Sequence, residues 1–162
     1  MVLPDLLRPG LTIVFCGTAA GADSAKRQAY YARRGNRFWP ILHKCGLTPR
    51  LFQPEEFALL LAHDIGLTDL CKRTYGSDAS LVAEDFDVPG FRARIQNFSP
   101  KIVAFNGVKP GRIALGNPRL KAGPAADLGQ SRTYVLPSSS SAANGTWDES
   151  HWFALAALAR GC

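Results

Sequence analysis

Leu11-Thr12-Ile13-Val14-Phe15-Cys16, followed at once by Gly17-Thr18-Ala19-Ala20-Gly21, is the stretch that decides the fold. A run rich in β-branched and apolar residues that ends in a glycine-bounded turn reads as a buried strand delivering a loop to a site rim. Thr18 supplies the only functional side chain in that loop, so the loop brings backbone close to whatever it binds. A dense aromatic and basic block follows: Tyr30-Tyr31-Ala32-Arg33-Arg34-Gly35-Asn36-Arg37-Phe38-Trp39. A bare loop beside rings and cations suits a flat ligand attached to a polyanion.

Three further runs have strand character: Ile65 to Cys71, Lys101 to Asn106 and Thr133 to Pro137. Helical spacing lies between them, over Asn36 to Gly46, Pro54 to His63, Val88 to Phe98 and Trp147 to Arg160. Strands alternating with helices predict an α/β fold, a three-layer α/β/α sandwich around a short, mostly parallel sheet of about four strands. Gly116 to Gly129, with its prolines and glycines, reads as a surface excursion. In such sheets ligands sit beyond the carboxyl ends of the strands. Gly17 to Gly21, Leu67 to Arg73, Asn106 to Lys109 and Pro137 to Asn144 should therefore converge.

The 162 residues fit a single domain, spanning 1–162, long enough to bury a full core. A hydrophobic content of 46% argues against disorder. The net charge of +6 favours an anionic partner, nucleic acid first, although a generally basic enzyme would carry the same charge. Cys16, Cys45, Cys71 and Cys162 show no Cys-x-x-Cys spacing, and Cys16 and Cys71 lie in apolar runs. Buried free thiols and a cytoplasmic location are expected. No segment reads as a signal peptide or a membrane span, so no membrane partner is expected. His43, His63 and His151 lack metal-type neighbours, so neither metal nor cofactor is expected. A monomer is expected.

Several residues could carry chemistry. Tyr31 precedes the helical stripe and is placed to stack on a base. Phe38 and Trp39 lie on the stripe and read as core. Arg33, Arg34 and Arg37 could meet phosphates or form a solvated basic face. Asn36 could cap the following helix, and its amide could also position water or a base edge. Asp69, near the end of the second strand, could polarise water, or could pair with Lys72 or Arg73. Asp23, beside Ser24, is a further carboxylate candidate, or part of a helix cap. Asn106 ends the third strand within an Asn-Gly turn pair. Ser138, Ser139, Ser140, Ser141 and Asn144 form a polar loop that could hold phosphates or simply be flexible.

These segments resemble the mismatch-specific uracil-DNA and thymine-DNA glycosylases of the uracil-DNA glycosylase superfamily, from about Leu11 to Leu158. The family's Gly-Ile/Leu-Asn-Pro-Gly stands here as Gly17-Thr18-Ala19-Ala20-Gly21. Asn36-Arg37-Phe38-Trp39 is the most specific match. Gly66-Leu67-Thr68-Asp69-Leu70 resembles a further motif, and Val135-Leu136-Pro137 with the serine run lies where the family has Leu-Pro-Asn-Pro-Ser-Gly. The resemblance implies flipping of uracil out of DNA and hydrolysis of its N-glycosidic bond. It assigns base contact to Gly17, Thr18, Ala19, Tyr31 and Asn106. It gives phosphate contact to the arginines and serines. The family's water-orienting Asn corresponds to Ala19, and the residue that fills the gap left by the flipped base corresponds to Ala142. Water activation then falls to Asp69 or Asn36, with Asp23 third. A small wedge predicts a preference for single-stranded or loosely paired DNA. Two other readings stay open. One is a glycosylase for another deaminated base such as hypoxanthine, since the branch acting on deaminated purines lacks the first-motif polar residue and keeps an Asn in a region like that around Asn36. The other is a damage-binding protein without turnover.

Overall fold

The computed structural model describes residues 1–162. In its sheet β1 (Ile13–Gly17) is flanked by β2 (Ile65–Asp69) on one side and β3 (Ile102–Asn106) on the other. These three strands are buried at every position. That is why they read as continuous apolar runs rather than alternating ones. β5 (Ser131–Leu136) lies parallel to β3, and β4 (Gly123–Leu128) pairs with β5 antiparallel at the edge. The sheet therefore has five strands in the order β2-β1-β3-β5-β4, not about four.

The extra strand corrects the reading of Gly116 to Gly129. Its second half, Gly-Pro-Ala-Ala-Asp-Leu, is β4. Small residues and a proline conceal it, and an edge strand tolerates both because one side of its backbone needs no partner. Helix α4 (Val108–Leu115) is likewise concealed by Pro110 and Gly111. Pro110 sits in the first turn, where its missing N–H is not needed. Gly111 is needed for packing, since a Cβ there would lie 3.0 Å from Val135 Cγ2. Residues Pro54–His63 form a 3-10 helix rather than an α-helix.

Alternate side chains of each strand enter two separate cores. On one face Phe15, Leu67, Ala104 and Leu136 pack with Phe38, Trp39 and Leu42 of α2 (Phe38–Lys44) and Trp152 and Leu155 of α5 (Glu149–Arg160). On the other, Val14, Val103, Phe105 and Val135 pack with Phe91 and Ile95 of α3 (Val88–Phe98) and Ala114 of α4. The result is the expected three-layer sandwich. A short helix, α1 (Ala22–Arg27), follows the first loop. The chain start crosses the outer side of β2: Leu6 and Leu67 exchange backbone hydrogen bonds of 2.9 and 3.0 Å. Gly66 is required there, because a Cβ would run into the Leu6 carbonyl oxygen.

The chain runs from β1 out to β2 and returns to the opposite side of β1 for β3. The carboxyl ends beside β1 are thus a topological switch point, where open α/β sheets form a crevice. Register aligns these ends: Gly17 is level with Asp69, and Asn106 with Leu136. No helix is long and apolar enough to cross a membrane.

Candidate active site

A cleft of about 710 Å³ opens at those strand ends. The whole first loop from Gly17 to Gly21 lines it, with Asp69, Asn106, Tyr31, Asn36, Ser138 and Ser139. All four expected segments reach the cleft, the first along its whole length, the second through Asp69 alone and the last through Ser138 to Ser140, Ala142 and Ala143. From the third, Asn106 reaches the cleft, whereas Lys109 instead donates 2.6 Å to the Asp78 carbonyl oxygen. Tyr75 to Ala79 form a further wall. No residue pattern announced it. It is tied down by Gly76 N–H to the Ala20 carbonyl (3.0 Å) and by the Thr18 hydroxyl to Asp78 Oδ1 (2.6 Å).

One side of the cleft is a closed hydrogen-bond network. Ser139 N–H donates to Asn106 Oδ1 (2.9 Å), and Asn106 Nδ2 donates to Ser139 Oγ (2.8 Å). Ser139 Oγ in turn donates to Asn36 Oδ1 (2.8 Å), which also accepts from Phe38 N–H (2.9 Å). The backbone donors fix both amides, because only an oxygen can accept from an N–H. Asn36 therefore ties down the start of α2, as expected of a capping residue, though one position ahead of the cap itself at Arg37. Its oxygen is engaged, and what it has left for a ligand is its Nδ2 donor pair. Ser139 is 1% exposed, so its hydroxyl serves this network and is not presented to a phosphate. Ser138 and Ser140 are half-buried and line the cleft.

The other side contrasts with this. Asp69 is buried at the end of β2, and its carboxyl is pushed up to about 6. Burial is the main cause; Lys72 and Arg94 pull it down while Asp5 pushes it up. Those three side chains form a cluster behind the strand, with Asp5 Oδ1 2.8 Å from Lys72 Nζ and Asp5 Oδ2 3.0 Å from Arg94 Nε. Thr68 Oγ1 donates to Asp5 (2.8 Å), and Arg94 donates to the Asp69 carbonyl (3.0 Å). Lys72 thus pairs with Asp5, and the Asp69 carboxylate is left facing the cleft. Gly17 makes this possible, because a Cβ there would stand 2.8 Å from Asp69 Oδ1 and 3.3 Å from the Tyr31 hydroxyl.

Tyr31 stacks on Phe38 with ring centroids 4.1 Å apart. Its backbone is left-handed at φ 54°, a conformation that bulky residues rarely adopt. Its hydroxyl is buried and has no hydrogen-bond partner; the Asn106 amide adjoins it without reaching hydrogen-bond geometry. A buried polar group left unpaired costs about 1–3 kcal/mol. Burial, with Asp69 nearby, raises its pKa far enough to keep the hydroxyl protonated.

The remaining candidates lie further out. Asp23 is exposed on α1 at the rim. Neither it nor Ser24 caps that helix; Ser24 Oγ accepts from Ala32 N–H (3.0 Å) and so holds the loop before Arg33. Arg33 lines the cleft, and Arg34 is exposed outside it. Arg37 sits over the Trp147 ring at 5.1 Å and donates to Asn144, so those two are directed at each other. Ser141 adjoins Gly35. Ala142 is exposed at the rim, on the 3-10 turn Ser141–Thr146. Cys16, Cys45 and Cys71 are buried free thiols.

A buried carboxylate, an amide donor pair and a ring in one cleft define a site for a flat, hydrogen-bonding ligand. The sequence profile of the Uracil DNA glycosylase superfamily matches residues 4–160. The chain therefore belongs to the uracil-DNA glycosylase superfamily. A solution NMR structure of a Methanosarcina acetivorans protein, to which a uracil DNA glycosylase role has been ascribed, is similar at 25% identity and a TM-score of 0.66. The match covers 98% of this chain and 96% of that one.

Proposed function

We propose that this chain removes uracil from DNA by hydrolysing the N-glycosidic bond, and that Asp69 takes the part of the absent water-orienting amide at Ala19. The observation that carries this reading is the placement of Asp69. It is the only buried carboxylate facing the cleft, at the very strand end that the bare Gly17 loop leaves open.

The flipped base enters against the Tyr31 ring and beneath the first loop. The Nδ2 pair of Asn36 and the second N–H of Asn106 Nδ2, whose first goes to Ser139 Oγ, are donors for base oxygens, where negative charge grows as the bond to the sugar breaks. Water adds its hydroxyl to C1′, the C1′–N bond electrons leave with the base, and Asp69 receives the proton that water gives up. An ionised Asp69 also lies close to the cationic character that develops on the sugar. Asp23, exposed at the rim, has neither the burial nor the position for this role. Arg33, Ser138 and Ser140 hold the flanking backbone. With a methyl group at Ala142, little fills the vacated stack, so single-stranded sites should be preferred.

Hypoxanthine is the second reading. Its lactam carbonyl offers the Asn36 amide donors the same acceptor that uracil does. Alkali cleavage of oligonucleotides containing uracil, hypoxanthine or mismatched thymine tests both. Abasic product from uracil, faster in single strands than in duplex, is expected. Tight binding with no abasic product from any of the three would make this a damage-binding protein and overturn the proposal.

A further inference from the structure

We propose that the hydroxyl of Tyr31 donates a hydrogen bond to a carbonyl oxygen of the bound base, so that Tyr31 reads the base through the edge of its ring. The inference rests on the reading of the cleft as a base site. It assigns the residue a polar role that its ring alone would not need.

Two independent features of the same residue carry it. The hydroxyl is buried and unpartnered. The backbone beneath it is held at φ 54°, in the left-handed region. Strain of this kind persists only where the surroundings impose it, and it gathers at ligand sites. Here Ser24 fixes the neighbouring Ala32 N–H, and the stack on Phe38 fixes the ring. The hydroxyl is thereby aimed at the gap over Gly17, beside Asp69.

No acceptor of the protein lies within hydrogen-bond geometry of that hydroxyl, and the Asp69 carboxylate flanks the same gap over Gly17 without bonding it. Asn106 Oδ1 accepts from Ser139 N–H, and Asn36 Oδ1 accepts from Phe38 N–H and Ser139 Oγ. The group that completes the site must therefore bring an acceptor of its own. A lactam carbonyl, as in uracil or hypoxanthine, is such an acceptor, and it gains negative charge as the base departs. Two structural side chains would have been arranged otherwise: a phenylalanine would fill the same space against Phe38 without an unpaired polar group.

Tyr31→Phe tests this, since it keeps the ring and removes only the oxygen. Thermal unfolding would be followed with and without free uracil or hypoxanthine, and single-turnover cleavage of uracil-containing DNA would be measured alongside. We expect an unliganded Tm equal to or above that of the wild type. We also expect at least a tenfold weaker affinity for the free base, and a cleavage rate lowered about 10- to 100-fold. Unsubstituted pyrimidine, which has the ring and no carbonyl, should shift neither protein. A wild-type response to uracil in the variant overturns the inference. So does a variant Tm several degrees lower, which would mean that the hydroxyl holds the fold together. A wild-type protein that responds to no free base, or equally to pyrimidine, overturns it too. Failure of the wild type to cleave any deaminated base would instead refute the proposed reaction, while the free-base measurement still decides the role of Tyr31.

Discussion

The two walls of the cleft are built on opposite principles. The Asn36–Ser139–Asn106 wall is closed on itself, with every oxygen engaged by a named donor. The Asp69–Tyr31 wall holds a buried carboxylate turned to the cleft and a buried hydroxyl without a partner. Satisfied polar networks fix geometry, whereas unsatisfied ones cost stability and have capacity for a ligand. Damage to the first wall should therefore be felt mainly as lost stability, and damage to the second mainly as lost activity.

The largest effect is expected at Asp69. Asp69→Asn should lower base cleavage by about 10²–10⁴-fold, the usual span for a general base. Its Tm at pH 7 should stay level or rise, because the replaced carboxylate is buried at a cost. The pH dependence has a definite sign. The folded-state pKa, about 6, lies above the ordinary 3.8, so folding favours the protonated carboxyl. The contribution of Asp69 to stability then falls as pH rises from about 4 to about 6 and is level above that. Activity runs the other way and climbs as pH passes about 6. Both limbs should vanish in Asp69→Asn, as followed by unfolding and cleavage across pH 4–8.

Gly17→Ala is next. The new methyl group would fall 2.8 Å from Asp69 Oδ1, forcing the carboxylate aside. Displacement of a reacting group by about 1 Å can cost about 10²-fold in rate, and single-turnover kinetics would show it. Ser139→Ala should reverse the pattern. It strips a partner from both Asn36 and Asn106, so urea unfolding should show a loss of about 1–3 kcal/mol, with a smaller fall in cleavage than at Asp69. The smallest change is expected at the rim. Arg33→Ala should reduce the salt dependence of DNA binding by about one ion, whereas Arg37→Ala should change it less, its guanidinium being engaged by Trp147 and Asn144. Equal slopes for the two variants would contradict that division.

The buried parallel strands were legible because burial on both faces leaves continuous apolar runs. β4 and α4 were not, because their glycines and prolines are tolerated for positional reasons that composition does not encode. The same contrast holds in the site. Asp69, Tyr31 and Asn36 stood out by type and by place relative to strand ends. That Asn36 is left with donors and not acceptors depends on Ser139, which is 103 residues away. The wall at Tyr75 to Ala79 depends on Thr18 and Asp78, which no spacing rule brings together.

The strand-like crossing of Leu6 over β2 has a consequence outside the site. An outermost β-strand ordinarily presents a row of free N–H and C=O groups on which another chain can template itself. At β2 that row is interrupted in mid-strand by the chain's own Leu6, and on the far side β4 carries Pro124, which has no donor to offer. Both margins of the sheet are thus poor seeds for intermolecular strand addition. Trimming the first six residues should therefore show itself first as a tendency to aggregate.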